Sequence, residues 1–143
     1  MTEADRDLMM LVLVAFAEAS DQGQDGIRAQ IHSALNRHRS KRWYSGRTLA
    51  ETLMMPYAYS AMNTDDPNRR RCMREAFDSP AMQLCQGEAV AALGGATEDP
   101  TGGATHYYVQ GTREPDWVSG AGRAPPATFC KQIGSHLFYK DVR

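Results

Sequence analysis

The chain has 143 residues, 42% hydrophobic and 23% charged, which suits one soluble domain around one core. A formal charge of -1 gives no basic field of the kind that nucleic-acid binding needs. The odd set of three cysteines, Cys72, Cys85 and Cys130, makes no disulfide framework and points to synthesis in a reducing compartment.

Thr2 and Asp5 have the spacing of a capping box, with Asp in place of the usual Glu. Behind them Leu8, Leu11, Val12, Ala15 and Ala19 follow the helical period, which predicts a first helix from about Glu3 to Ser20. The apolar run from Leu8 to Ala17 is too short to cross a bilayer, so no stable membrane insertion is expected. Its leader, "TEADRD", is mainly acidic and unlike the basic leader of a secretory signal. The chain is therefore expected to be made in the cytoplasm without an export signal of its own.

"DQGQDG" then breaks the chain, and a second helix is predicted from about Ile27 to Arg39. Ile27, Ile31, Ala34 and Leu35 share one face of it, while Ala29, His32 and Asn36 share the other. "TLAETLMM" reads as a short helix stopped by Pro56. Loop-like sequence follows through "YAYSAMNTDDPNRRR", with Asp66-Pro67 as a turn signal and Arg69–Arg71 as a solvated turn able to attract an anionic polymer. Ser79 and Pro80 begin another helix with a capping hydroxyl and proline at its first position. Met82, Cys85, Ala89, Ala92 and Leu93 continue it until Gly94-Gly95, and Cys72 and Cys85 read as buried small residues. From Thr97 onward Gly, Pro and aromatic residues dominate, and "THYYV" and "SHLFY" alternate as two short paired strands. The expected architecture is α+β, mainly helical with a small β-hairpin, as one domain over residues 1–143.

Glu18 is the residue that asks for an explanation. It lies seven residues after Leu11 and three after Ala15, on the inward stripe of the first helix, with no Lys or Arg beside it in sequence. It is either a frayed helix end in water or an acid held in an apolar wall, and the flanking Leu, Val, Ala and Phe residues argue for the wall. Lost solvation favours the protonated carboxyl, and a proton donor is what departure of a glycosidic oxygen requires. In "EDPTGGATHYY", Pro100 fixes the entry, Gly102 and Gly103 free the backbone, and the next strand presents Thr105, His106, Tyr107 and Tyr108. Such rings suit stacking and hydrogen bonding to sugars, although a turn leading into an ordinary core strand reads equally well. Trp117, in the loop-like "EPDWVSG", is either a sugar platform or a cover for the hairpin. His106 and His136 can meet across that hairpin, which leaves room for zinc. No Cys-rich or HExxH pattern accompanies them, so neither metal nor another cofactor is expected.

Five segments in series resemble the cell-wall hydrolases of the spore cortex-lytic (SleB-like) family. They are "AEA" at Ala17–Ala19, "ALNR" at Ala34–Arg37, "DDPNRRR" at Asp65–Arg71, "DPTGGATHYY" at Asp99–Tyr108 and "IGSHLFYK" at Ile133–Lys140. The resemblance implies a lysozyme-like, lytic-transglycosylase-type fold whose partner is the peptidoglycan glycan strand. It also implies that Glu18 is the catalytic acid and that Tyr107 lines the site. Many relatives read "EARGE" where this chain reads "EASDQ", so a second Glu is missing. At the family's "FS" element this chain has Tyr59-Ser60. Ser60, Thr105, Tyr107 and Tyr108, with Tyr59, His106, Asn63 and Trp117, are the expected substrate-binding residues. Asp21, Asp25 and Asp99 are the nearby acids, and none is marked by an apolar setting. A single acid fits a lytic transglycosylase cleaving between N-acetylmuramic acid and N-acetylglucosamine. The alternatives are a hydrolytic muramidase, a zinc amidase, or a non-catalytic glycan-binding or virion-associated module. A phage-type endolysin acting as a monomer on the cell wall is the role expected of a chain without an export signal.

Overall fold

The computed structural model describes residues 1–55, 58–59, 63, 65–75 and 77–143. Among them α1 spans Glu3–Ala19, and the predicted capping box forms: Thr2 Oγ1 accepts from the Asp5 amide at 3.1 Å, and the Asp5 carboxylate accepts from the Thr2 amide at 2.8 Å. The helix buries Leu11, Val14, Ala15 and Phe16 at the centre of the molecule, packed against four other helices. A helix surrounded in this way can carry an apolar stripe wider than a surface helix does.

The second helix, α2 (Gly23–Arg39), starts four residues before Ile27. The expected break narrows to Ser20–Gln22 because Gly23, at φ +72°, makes the corner alone. Both faces of α2 are buried. Ile27, Ile31, Ala34 and Leu35 join the main core, while Ala29 packs against Ala104 and Phe138 of the sheet side. The predicted short helix forms as α3 (Leu49–Met54), capped by Thr48, and Pro56 lies outside the described residues.

The stretch read as a loop around Asp66-Pro67 contains a helix instead, α4 (Pro67–Arg74). Asp66 caps it by accepting from the Asn68 amide at 2.8 Å, and Pro67 takes its first turn. Only Cys72 of this helix is buried, so no apolar period announces it. Arg71 is therefore helical rather than part of a turn, and it remains exposed. It donates to Ser20 Oγ at 2.8 Å and its guanidinium lies 4.5 Å from the Phe16 ring centre. Helix α5 (Pro80–Leu93) follows its predicted bounds, with Ser79 accepting from the Met82 amide and Cys85 and Ala89 buried.

The predicted strands exist and pair antiparallel: β1 (His106–Val109) places Tyr107 opposite Phe138 of β3 (His136–Lys140). They are not a hairpin, however. An unexpected strand, β2 (Thr128–Ile133), forms the tight hairpin with β3, and the sheet order is β1-β3-β2. β2 is mostly exposed and its register shifts between Phe129 and Lys131, so it lacks the alternation that would reveal it. Trp117 sits in a single helical turn, α6 (Asp116–Ser119), rather than in an open loop. The fold is mainly helical α+β, and among the described residues no helix is long and apolar enough to cross a membrane.

Candidate active site

Glu18 occupies the last turn of α1, where the inward stripe runs out and the side chain is half-buried. Two phenols face it, Tyr59 from the segment after α3 and Tyr107 from β1. Burial first, then the Glu18 charge, holds the Tyr107 hydroxyl well above its ordinary range. Burial pushes the Tyr59 hydroxyl up to about 12; Arg37 opposes the shift and Glu18 adds to it. The Tyr107 hydroxyl also lies beside the side chain of Gln30, which is fully buried on α2. Among the described residues neither phenol oxygen, neither amide atom of Gln30, nor His136 Nδ1 is met at hydrogen-bond geometry. Proximity to Glu18 and Gln30 therefore sets the field at Tyr107 without satisfying its hydroxyl.

Tyr107 also forms one wall of a cavity of about 280 Å³, together with Arg37, Trp43, Tyr44, His106 and Trp117. Larger depressions of about 600 and 670 Å³ flank the N-terminal half of α1. They are shallower and distant from Glu18 along the helix, so the smaller aromatic cavity is the better candidate. His106 sits edge-on to Tyr44 at 4.7 Å and 5.2 Å from Trp117. Burial and the nearby Arg37 push its pKa down to about 3, which keeps the ring neutral at working pH. The Arg37 guanidinium lies 5.3 Å from the Tyr44 ring centre and 5.5 Å from that of Tyr59.

The remaining expected residues divide. Thr105 is buried and its hydroxyl engages His106 Nδ1 at 2.8 Å, so it orients that ring. Tyr108 stacks on Tyr139 at 6.0 Å and meets Trp117 at 6.2 Å, beyond the residues that line the cavity. The Asn63 carbonyl accepts from the Asp66 amide ahead of α4. Ser60 lies outside the described residues. His106 and His136 do not meet: they pair with Tyr139 and Val109, at opposite ends of the β1–β3 ladder. Among the described residues no three His, Cys, Asp or Glu side chains converge as metal ligands.

The other acids serve different ends. Asp99 accepts from the Thr101 amide and hydroxyl, the Gly103 amide and Asn36 Nδ2, all within 2.9 Å. Burial works against its charge, but these donors outweigh burial and hold its pKa below the ordinary value. It is the knot of the Gly-rich turn that delivers β1 to α2. Asp21 and Asp25 are exposed.

Arg37, Gln30, Trp43 and Tyr44 were not expected at the site. The one signal was the Asn36-Arg37 pair of "ALNR": Asn36 points to Asp99 and Arg37 to the cavity, a division that needs the helix in place.

The Cell Wall Hydrolase family model matches residues 21–139, beginning three residues after Glu18. Two solved structures are similar. The catalytic domain of SleB from Bacillus cereus shares 19% identity with a TM-score of 0.66, covering 95% of this chain and 91% of that one. The catalytic domain of the germination-specific lytic transglycosylase SleB from Bacillus anthracis shares 21% identity with a TM-score of 0.68, covering 94% of each chain. Comparison with curated proteins gives no match. The fold is thus the lysozyme-like one of those domains. With most of its length inside the family match, the chain belongs to the cell wall hydrolase family of peptidoglycan-cleaving enzymes.

Proposed function

We propose that the whole chain acts as one lytic transglycosylase domain, cleaving glycan strands between N-acetylmuramic acid and N-acetylglucosamine with Glu18 as its catalytic acid. The observation that carries this reading is a half-buried carboxyl facing two buried phenols beside an aromatic cavity; Asp99 serves the Gly-rich turn. A two-carboxylate glycosidase needs a second acid across the scissile bond, and the described residues offer no comparable one. The similarity to a germination-specific lytic transglycosylase adds support at the level of the fold.

In this mechanism Glu18 gives its proton to the bridging oxygen as the bond from that oxygen to the muramoyl anomeric carbon breaks. The muramoyl 6-hydroxyl closes on that carbon, and its proton returns to the Glu18 carboxylate. The acid is regenerated, no water is consumed and the product is a 1,6-anhydro sugar. Tyr107 and Tyr59 exclude water from the carboxyl, Thr105 orients His106, and Trp117 supplies an apolar sugar-facing edge. Tyr108 and Asn63 belong to the wider substrate surface. The enzyme works at the cell wall as a monomer without a metal or cofactor.

The test is clearing of purified peptidoglycan in a zymogram, with chelator present and absent. Wild type clears under both conditions and Glu18→Gln clears about 10²–10⁴-fold more slowly with an unchanged melting temperature. Full clearing by Glu18→Gln, or retention on walls without clearing by wild type, overturns the proposal. Loss of clearing with chelator means an amidase instead.

A further inference from the structure

Arg37 is the one charged side chain among the described residues that line the aromatic cavity, since His106 there is neutral. Its guanidinium is flanked by the Tyr44 and Tyr59 rings, and its Nε is buried with no hydrogen-bond partner among the described residues. No ion pair to Arg37 is present among them either; the cation of α2 that is paired is Arg28, with Glu88 at 2.9 Å. Two aromatic rings restrain the guanidinium, and Arg37 lines the cavity. At the rim Trp43 is 72% exposed, an apolar surface that its T-shaped contact with Tyr44 holds upright.

Stacking a neutral sugar requires the rings but not a cation. Along a peptidoglycan strand, N-acetylglucosamine is neutral and every second sugar, N-acetylmuramic acid, bears a 3-O-lactyl group that ends in a carboxylate or continues into a stem peptide. A planar donor fork matches a carboxylate in two-point geometry. Resting on the functional reading above, we infer that the Arg37 cavity is a carboxylate-reading subsite. Arg37 binds the anionic substituent of a muramoyl residue and so sets which sugars of the strand lie on either side of Glu18. It is a specificity-determining residue that takes no part in proton transfer.

The experiment measures binding rather than cleavage, by calorimetry with Glu18→Gln protein. Five ligands are compared: glycan strands stripped of peptide, strands with stem peptides, the methyl-esterified form of each, and a chitin oligosaccharide of equal length. Esterification is expected to weaken binding about 10- to 100-fold, the range for loss of a charge-assisted pair. The esterified strand should then bind like the chitin oligosaccharide. Sensitivity in stripped strands assigns the lactyl carboxylate, and sensitivity confined to peptide-bearing strands assigns a peptide carboxylate. Adding Arg37→Gln should abolish the difference between free and esterified ligands, and Arg37→Lys should restore part of it. Should Arg37→Gln fail to fold, the ligand-side comparison on the parent protein still decides. Equal binding of free and esterified strands overturns the inference while leaving the glycosidase reading intact. Absence of binding to every strand overturns both.

Discussion

Helix α2 carries two polar clusters, one on each side, and they are built on opposite rules. On the side of the Gly-rich turn every prominent polar group is matched. Asp99 takes four donors, His32 Nε2 meets Thr97 Oγ1 at 2.8 Å, and the buried Glu88 receives Arg28 and Gln24. On the side of Glu18, Gln30, Tyr59, Tyr107, Arg37 and His136 all hold buried atoms that no described protein group satisfies. A buried unmatched polar atom costs about 1–3 kcal/mol, so a fold keeps several together only where something other than stability retains them. The matched cluster anchors the turn that carries β1; under the proposed function the unmatched one is arranged for a ligand.

That contrast predicts opposite responses to substitution. Asp99→Ala strips four hydrogen bonds from a half-buried turn and should lower stability by about 2–4 kcal/mol. Calorimetry should register a melting temperature lower by about 5–15 °C, with cleavage per folded molecule unchanged at low temperature. If specific activity falls while stability holds, the anchor belongs to the site and the division is wrong. Tyr107→Phe should do the reverse, reducing peptidoglycan cleavage about 10-fold while leaving the melting temperature equal or slightly higher, because an unmatched hydroxyl is removed. A clear drop in melting temperature would show the phenol to be structural.

The most gradual effect is a pH dependence. Folding depresses the pKa of His106 to about 3. Between the unfolded value near 6.5 and that figure the unfolded chain binds more protons, so stability is full above about pH 6.5 and falls as the medium is acidified. The expected slope from this group is about 1 kcal/mol per pH unit below 6. Denaturant melts of His106→Gln should show a flatter acid limb than wild type, and an unchanged limb would mean that His106 is not shielded as described.

The same contrast explains what the sequence could disclose. The capping box, the apolar stripe of α1 and the Ser79-Pro80 start are local patterns, and each appeared where expected. Asp66-Pro67 carries the same helix-start chemistry, yet α4 stayed hidden because one buried Cys72 gives it no period. β2 stayed hidden because it is exposed and out of regular register. At the site, Glu18 stood out because a carboxylate ends an apolar run, and Tyr107 because of its Gly-rich approach. Arg37 and Gln30 did not, since their meaning comes from a strand some 70 residues away pressed onto α2. Polarity inside a helix is legible; what it faces is a property of the fold.

The central claim is that one carboxyl, screened by buried phenols, cleaves the strand without using water. Digestion of purified peptidoglycan in ¹⁸O-labelled water, followed by mass spectrometry of the muropeptides, tests it most directly. The account predicts 1,6-anhydromuramoyl ends that carry no ¹⁸O. Reducing muramoyl ends bearing one ¹⁸O atom would contradict it and make the enzyme a hydrolase.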